Sequence, residues 1–485
     1  METIIEMLGV SGNGHTNRAV FLIPILLGVL AGCTVSPKYQ RPQVKAPETF
    51  RGASAAVPAD AAGSIADMKW FEVFNDPQLQ QLVRTALAEN YDLREAAARV
   101  EAARASLGVT RADQFPTVGA TADLTTLKFS SGGQFPLPAG FSTERRYGSV
   151  ALNLLSFEVD MFGRLRRATE AGRANLLASE AARKAVTTTL VGDVANAYLN
   201  LLELDSELEI ARRTLSSRED SLRLIRLRQE GGLSTRLDLR QAEQLVYTAK
   251  QTIPNTEKLV EQTENQISLL LGKNPGPITR GRLLKEQELP VSVPAGLPSN
   301  LLERRPDIVV AEQNLISANA MIGVARAAYF PRITLTGYLG TQSSALNSLF
   351  TGPTRTWQFV PQVSQPIFNA GRNRSNVRLA KAQQQVALVQ YERAIQTAFR
   401  EVSDSLIAYR KVKEVLEQQE LLLTTLKDRS DLAYVRYKGG VDTLFSALDA
   451  DRDLFAAELA VAQTRRDEIQ SLVQLYKALG GGWQQ

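Results

Sequence analysis

Apolar residues in the second half of the chain return at steps of seven: Leu388, Ile395, Val402, Tyr409, Leu416 and Leu423. The first half does the same with Val194, Leu201, Leu208, Leu215 and Leu222. A sustained heptad predicts helices that pack as coiled coils. No Gly or Pro falls between Gly371 and Gly439, and a helix of that length spans ~100 Å at a rise of ~1.5 Å per residue. Each long helix stops at a glycine pair, Gly231-Gly232 or Gly439-Gly440, and a second helix returns over 235–271 or 443–479. Val441, Leu448, Phe455, Ala462, Ile469 and Tyr476 keep the seven-residue step on the last helix, whereas Pro254 is expected to kink its counterpart.

Ahead of each hairpin the pattern changes period. An Ala-rich helix (76–112 and 299–328) ends at a Phe-Pro pair. The first opens on Asp76-Pro77, a good N-cap and first-turn combination. Alternating or β-branched runs follow, Thr117–Thr125 and Tyr147–Val159 in one half, Ile333–Thr341 and Trp357–Phe368 in the other. Loops rich in Gly, Ser and Pro, 128–146 and 342–355, separate the strands of each pair.

The halves are copies. Gly108, Arg111 and Phe115-Pro116 recur as Gly323, Arg326 and Phe330-Pro331 at an offset of 215 positions. From Gly163 and Gly371 onward, through Ala242 and Ala450 to Leu271-Gly272 and Leu479-Gly480, the offset is 208. Self-similarity at a fixed offset marks a duplication. The boundaries read as 1–32 leader, 33–75 extended N-terminal segment, 76–272 first repeat, 273–298 Pro/Gly-rich linker, and 299–485 second repeat with its tail.

Strands of about 9–11 residues suit a tilted membrane crossing. Four of them cannot close a barrel, and an open sheet edge cannot sit in lipid. If these strands enter a membrane the chain must therefore oligomerise, a dimer supplying 8 strands or a trimer 12. Long hairpins also have too little core to stand alone.

Composition narrows the chemistry. The chain has one Cys and one His in 485 residues, which leaves no disulfide framework and no Cys/His metal site. His15 lies in the leader, so a triad built on it is excluded. Arg18 precedes a short apolar run, AVFLIPILLGVLAG, a signal-peptide pattern with Met7 as an alternative start. Cys33 follows Leu30-Ala31-Gly32 as a lipoprotein acceptor would, and the expected group is a covalent N-terminal lipid with no other cofactor. Thr34 in place of Asp at the next position favours the outer membrane. Without residues 1–32 the net charge rises from +5 to about +6, with acids and bases interleaved throughout. The one dense basic run is Arg164-Leu165-Arg166-Arg167, and no spaced aromatics accompany it, so nucleic-acid binding is not expected.

The lipobox at Cys33, Asp76-Pro77-Gln78-Leu79, Arg305-Pro306-Asp307, Pro366-Ile367-Phe368 and Tyr476-Lys477-Ala478-Leu479-Gly480 resemble, in that order, the TolC-like outer-membrane factors. The OprM-type lipoprotein channels of drug efflux are the most similar branch. The resemblance spans 33–485. It implies a fold that is mainly α with a membrane β-barrel, assembled as a homotrimer. Twelve strands would form the barrel and the hairpins a periplasmic α-barrel, with a belt from 183–215, 272–300 and the C-terminus. The implied function is a passive exit duct fed by a periplasmic adaptor and a proton-driven inner-membrane pump. The same fold also serves type I protein secretion under an ATPase. A periplasmic adaptor or a lipid-anchored enzyme would need, respectively, a single hairpin with several β domains or a nucleophile and base, neither of which the sequence offers.

The resemblance places adaptor docking at the hairpin turns: Gly231, Gly232, Leu233, Ser234 and Asp238 in one, Gly439, Gly440, Val441 and Asp442 in the other. Ser234, Thr235 and Asp442 are equally suited to capping the returning helices and nothing more. It places the resting constriction near the same end, with Asp428, Arg429, Asp431, Tyr434, Arg436 and Tyr437 as candidates. Asp side chains around a threefold axis would attract cations. Tyr434 stands where the OprM-type channels carry an Asp, so Asp431, one turn earlier, is the substitute. A solvated helix face explains any one of these residues as well. Tyr147, Tyr338, Trp357 and Phe359 suit either interfacial belts or the lipid face.

Overall fold

A computed structural model describes residues 37–44, 47, 49–52, 64–130, 142–287 and 301–483. Cys33 and its lipobox lie outside the described residues, as do 131–141 of the first inter-strand loop and 288–298 of the linker. The helices are α1 (Trp70–Val73), α2 (Pro77–Glu89), α3 (Tyr91–Ala112), α4 (Arg164–Glu230), α5 (Arg236–Leu270), α6 (Leu301–Arg304), α7 (Pro306–Ala327), α8 (Arg372–Lys438) and α9 (Leu444–Ala478). The strands are β1 (Val118–Lys128), β2 (Glu144–Val159), β3 (Arg332–Ser343) and β4 (Arg355–Ser364). Both long helices have 67 residues and both returning helices 35.

Two differences from the sequence pattern have clear causes. The first Ala-rich segment is two helices, not one. Asn90 sits between them in an extended conformation, its side-chain carbonyl accepting from the Leu93 amide at 3.0 Å. An Asn competes with the helix for its own backbone, which makes it a stop and a start at once. The second segment breaks at Arg305 for a different reason: the residue before a proline is disfavoured in the helical region, and Pro306 opens α7. In addition, β4 ends at Ser364, so Pro366-Ile367-Phe368 lies beyond the strand. Pro254 is carried inside α5.

The chain divides into two compact units. The first comprises Ala103–Leu176 and Gln313–Leu388, with the N-terminal segment to Arg41. It holds one antiparallel sheet in the order β1-β2-β3-β4, both edges open among the described residues. The β2–β3 ladder slips between Leu154 and Phe157, a bulge that adds local twist. Gly340 faces β2 so closely that a Cβ there would lie 2.2 Å from the Val150 carbonyl oxygen. Large apolar side chains cover the sheet surface: Leu124, Leu152, Leu339, Trp357 and Val363 are all exposed. Each strand pair passes into its long helix through a left-handed glycine, Gly163 or Gly371, both at φ 81°.

The second unit comprises Pro42–Ala102, Leu177–Glu312 and Val389–Gln485. On the two long helices none of the heptad positions is exposed even in the single chain, and Val194, Leu201, Ile395, Val402 and Leu416 are buried. Two polar nodes tie the repeats to their flanking segments. Asp76 is fully buried and caps α2 through the amides of Gln78 (2.8 Å) and Leu79 (3.4 Å). It also accepts from the Tyr198 hydroxyl (3.2 Å) and the Gln287 amide side chain (2.8 Å). Arg305 donates to Asp307, to Glu401 (2.7 Å) and to the Ala478 carbonyl (2.9 Å). Buried charge is tolerated where every partner is in place, as in both nodes.

Among the described residues one helix, α7, is long and apolar enough by length and composition to cross a membrane, with mean hydropathy 1.3 over its best window. It carries Asp307, Glu312 and Arg326, and its Ile308, Leu315, Ala320, Ile322 and Ala327 are buried within the chain.

Candidate functional site: the paired hairpin tips

The two turns are built alike. In the first, the Leu233 amide donates to the Arg228 carbonyl (2.7 Å) and the Gly232 amide to Gln229 (3.0 Å). In the second, Val441 donates to Arg436 (3.1 Å) and Gly440 to Tyr437 (3.1 Å). This is the Schellman closure of a helix C-terminus, and it needs one left-handed residue. Gly232 at φ 74° and Gly440 at φ 73° supply it.

The returning helices start on Thr235 and Thr443, not on Ser234 or Asp442. Thr235 accepts from the Asp238 amide (3.1 Å), and the Asp238 carboxylate accepts back from the Thr235 amide (2.8 Å), a complete capping box. Thr443 accepts from the Ser446 amide at 3.4 Å. Asp442 supports this cap: it accepts from the Thr443 amide (2.8 Å), the Ser446 hydroxyl (2.9 Å) and Arg436 (3.2 Å). The Ser446 hydroxyl, the Thr443 amide and Arg436, in that order, hold its carboxyl below the usual range.

Around these polar turns the surface is apolar. Leu233, Leu237, Val441 and Phe445 are exposed, Leu233 by 73%. Exposed apolar side chains at two adjacent turns are a feature of interaction surfaces. Beneath them Ile225, Ala242, Leu245, Leu444 and Leu448 form a buried cluster joining the two hairpins, with Leu222, Leu239 and Tyr437 packed on it.

The constriction candidates separate into two groups. Asp428, Asp431 and Arg436 are exposed, and Arg436 is engaged with Asp442. Tyr434 is half-buried and points inward. Its hydroxyl meets Ser221 of α4, and burial, followed by nearby Asp451, raises its pKa. Arg429 bridges to Asp449 and Asp453 of α9, 2.7 Å to each, and Asp453 is held below its ordinary value by Arg429 and Arg452. The strongest polar contact in the region was not visible in sequence. Arg218 of α4, 3% exposed, donates to Asp451 of α9 at 2.7 Å and to the Leu245 carbonyl of α5 at 3.1 Å. Its guanidinium lies 4.9 Å from the centre of the Phe455 ring. These partners come from different helices, so no local spacing announces them.

An open-edged apolar sheet joined to long duplicated hairpins defines a class, the outer-membrane channels. A family model described as outer membrane efflux protein matches residues 82–273 and 297–481, and the chain belongs to that family. It is 38% identical over 473 residues to the probable efflux pump outer membrane protein TtgC of Pseudomonas putida, covering 96% of both chains. It is 37% identical over 466 residues to the cation efflux system protein CusC of Escherichia coli, covering 96% of this chain and 99% of CusC. A solved structure of CusC superposes with TM-score 0.83 at 35% identity, over 93% of this chain and 100% of CusC. The open state of the Neisseria gonorrhoeae MtrE outer membrane channel gives 0.83 at 35%, over 93% of this chain and 99% of MtrE. The fold is therefore a helical barrel with a membrane β-barrel, and the chain is an efflux channel of the outer membrane.

Proposed function

We propose that the chain is one subunit of a homotrimeric, lipid-anchored exit duct in a tripartite efflux system. A periplasmic adaptor docks on its hairpin tips, and a proton-driven inner-membrane pump supplies the energy. The observation that carries the reading is the sheet. Four strands with apolar surfaces and two open edges must close on other copies before they can enter lipid. Three copies give a barrel of 12 strands, wide enough to enclose water. Cys33 would carry the acyl chains that hold the N-terminal segment to the membrane.

The tips support docking because their capping needs are already met. Thr235 with Asp238 and Thr443 with Asp442 satisfy the helix ends, which leaves Leu233, Leu237, Val441 and Phe445 without a packing role inside the chain. A water-filled tube selects weakly, so the exported compounds are set by the pump. The test uses the single native Cys33, blocked by acylation. A cysteine introduced as Val441→Cys is then the sole free thiol and can be crosslinked in intact cells. Capture of an adaptor that brings down a proton-driven pump is the expected result. Capture of an adaptor with an ATP-driven exporter would replace this reading by protein secretion, and no capture at the tip would remove the docking assignment.

A further inference from the structure

The two most exposed large apolar side chains among the described residues are Ile367 (96%) and Phe368 (89%), both in the connector between β4 and α8. The counterpart connector, between β2 and α4, is packed. There Phe162 stacks on Phe330 with ring centres 4.7 Å apart, which fills the rim of the sheet between β2 and β3. The duplication departs from this pattern at one place: Ala370 stands where the first copy has Phe162. Phe115, the counterpart of Phe330, has no ring partner among the described residues and is 59% exposed. Val118, at the start of β1, is exposed as well. The sheet thus carries an unfilled apolar patch on each open edge, Ile367 and Phe368 past the end of β4, Phe115 and Val118 at the start of β1.

We propose that the two patches meet as an apolar seam between copies of this chain: Ile367 lies opposite Val118 of the partner subunit, and Phe368 covers Phe115 of the partner subunit. The seam rests on the assembly proposed above. Four antiparallel strands leave β4 and the first strand of a second copy running in opposite directions, so pairing between copies repeats the β2–β3 pairing within one. Within the chain Val159 pairs with Ile333. The offset of 208 carries Val159 to Ile367, and the offset of 215 carries Ile333 back to Val118. Phe157 and Leu335 lead in the same way to Gln365 and Ala120. In this register Phe368 falls opposite Thr117 and diagonal to Phe115, a spacing that aromatic side chains span. Phe368 therefore supplies from one subunit the ring that Ala370 does not. Contact with lipid would explain exposed apolar side chains, but not two patches at one level of the sheet on the two edges that lipid cannot accept unpaired.

The test is disulfide trapping with copper phenanthroline in isolated outer membranes, on the full-length chain carrying Val118→Cys with Ile367→Cys. Facing residues of antiparallel strands have Cα atoms about 4.5–5.5 Å apart, inside the disulfide range of about 4.4–6.8 Å. Denaturing gels without reductant should show most of the chain as covalent dimers and trimers, and neither single-cysteine variant should. Ile367→Cys with Leu124→Cys is six places out of register, at about 3.4 Å per place, and should crosslink about tenfold less. If the first pair is not recovered in membranes, Gln365→Cys with Ala120→Cys reads the same register. Phe368→Asp should lower trimer recovery about threefold or more, because a charge cannot fill an apolar seam. Phe350→Asp, also strongly exposed but at the other end of the sheet, should not. Native mass spectrometry of the wild type separates the two readings. Wild-type trimers with no crosslink in either cysteine pair, or with full trimer recovery in Phe368→Asp, would overturn the seam and leave the assembly standing. A monomeric wild type would overturn both.

Discussion

Replacing Asp451 by Asn tests whether the Arg218 contact holds the two hairpins together. In the wild type Arg218 is 3% exposed and Asp451 13%, and the ion pair is 2.7 Å long. Removal of the carboxylate charge leaves the guanidinium buried with the Leu245 carbonyl and the Phe455 ring, while its Nη2 already has no acceptor. Breaking a buried pair from one side costs about 3–5 kcal/mol. The lower end applies because Asp451 keeps some access to water. At about 3 kcal/mol, local opening should rise by about two orders of magnitude. Amide exchange over 214–228 and 444–456 reads this directly, with 190–200 as the internal reference. Removing both charges, as Arg218→Met with Asp451→Leu, should return most of the loss, because the site then buries no unpaired ion. Exchange within threefold of wild type in Asp451→Asn would refute the reasoning. It would mean that the apolar cluster of Ile225, Leu245, Leu444 and Leu448 alone sets hairpin cohesion.

Two further outcomes follow from local geometry. Thr235→Ala should cost about 1 kcal/mol by removing one half of the capping box, while Ser234→Ala should be near neutral. Thermal melting of the two variants distinguishes them, and equal effects would count against the cap assignment. Gly340→Ala should reduce the folded channel recovered from outer membranes, because its Cβ would sit 2.2 Å from the Val150 oxygen on the adjacent strand. Overpacking of this kind costs about 1–3 kcal/mol or more. Gly352→Ala, with open space around it, is the matched control.

What the sequence revealed was whatever repeats or is local. The heptads of Val194–Leu222 and Leu388–Leu423, the glycine pairs and the strand runs all express periods or turn chemistry inside short windows. The helix break at Asn90 is not announced, because a polar residue with good helical neighbours gives no periodic signal, whereas the break at Arg305 has a local signal in Pro306. The role of Asn90 appears only once its Nδ2 is seen bound to the Leu270 carbonyl at 3.0 Å, and that of Arg305 once it is seen bound to Ala478. Of the cap candidates, Thr235 caps the first returning helix and Ser234 does not, while Thr443 stands in place of Asp442 at the second, because the backbone conformation chooses between neighbours of like propensity. Arg218–Asp451 and Glu203–Arg466 were not legible at all. Each joins the first repeat to the second, and in sequence each partner reads as one more charge on a long helix.

The matched lengths of the two hairpins have a consequence for how such a chain can change. A single residue inserted into α4 rotates everything after it by 100°, and carries the buried heptad positions out of their seam. It would also leave one turn displaced along the helix axis from its twin. Repair would require a compensating insertion in α8, hundreds of positions away in the gene. The offset between copies, 215 before the strands and 208 after them, shows where length did change: within the strand-and-loop segment, where a added residue disturbs no helical phase. New length, and with it new surface chemistry, is thus confined to the loops between strands. The helices are free to vary in composition alone.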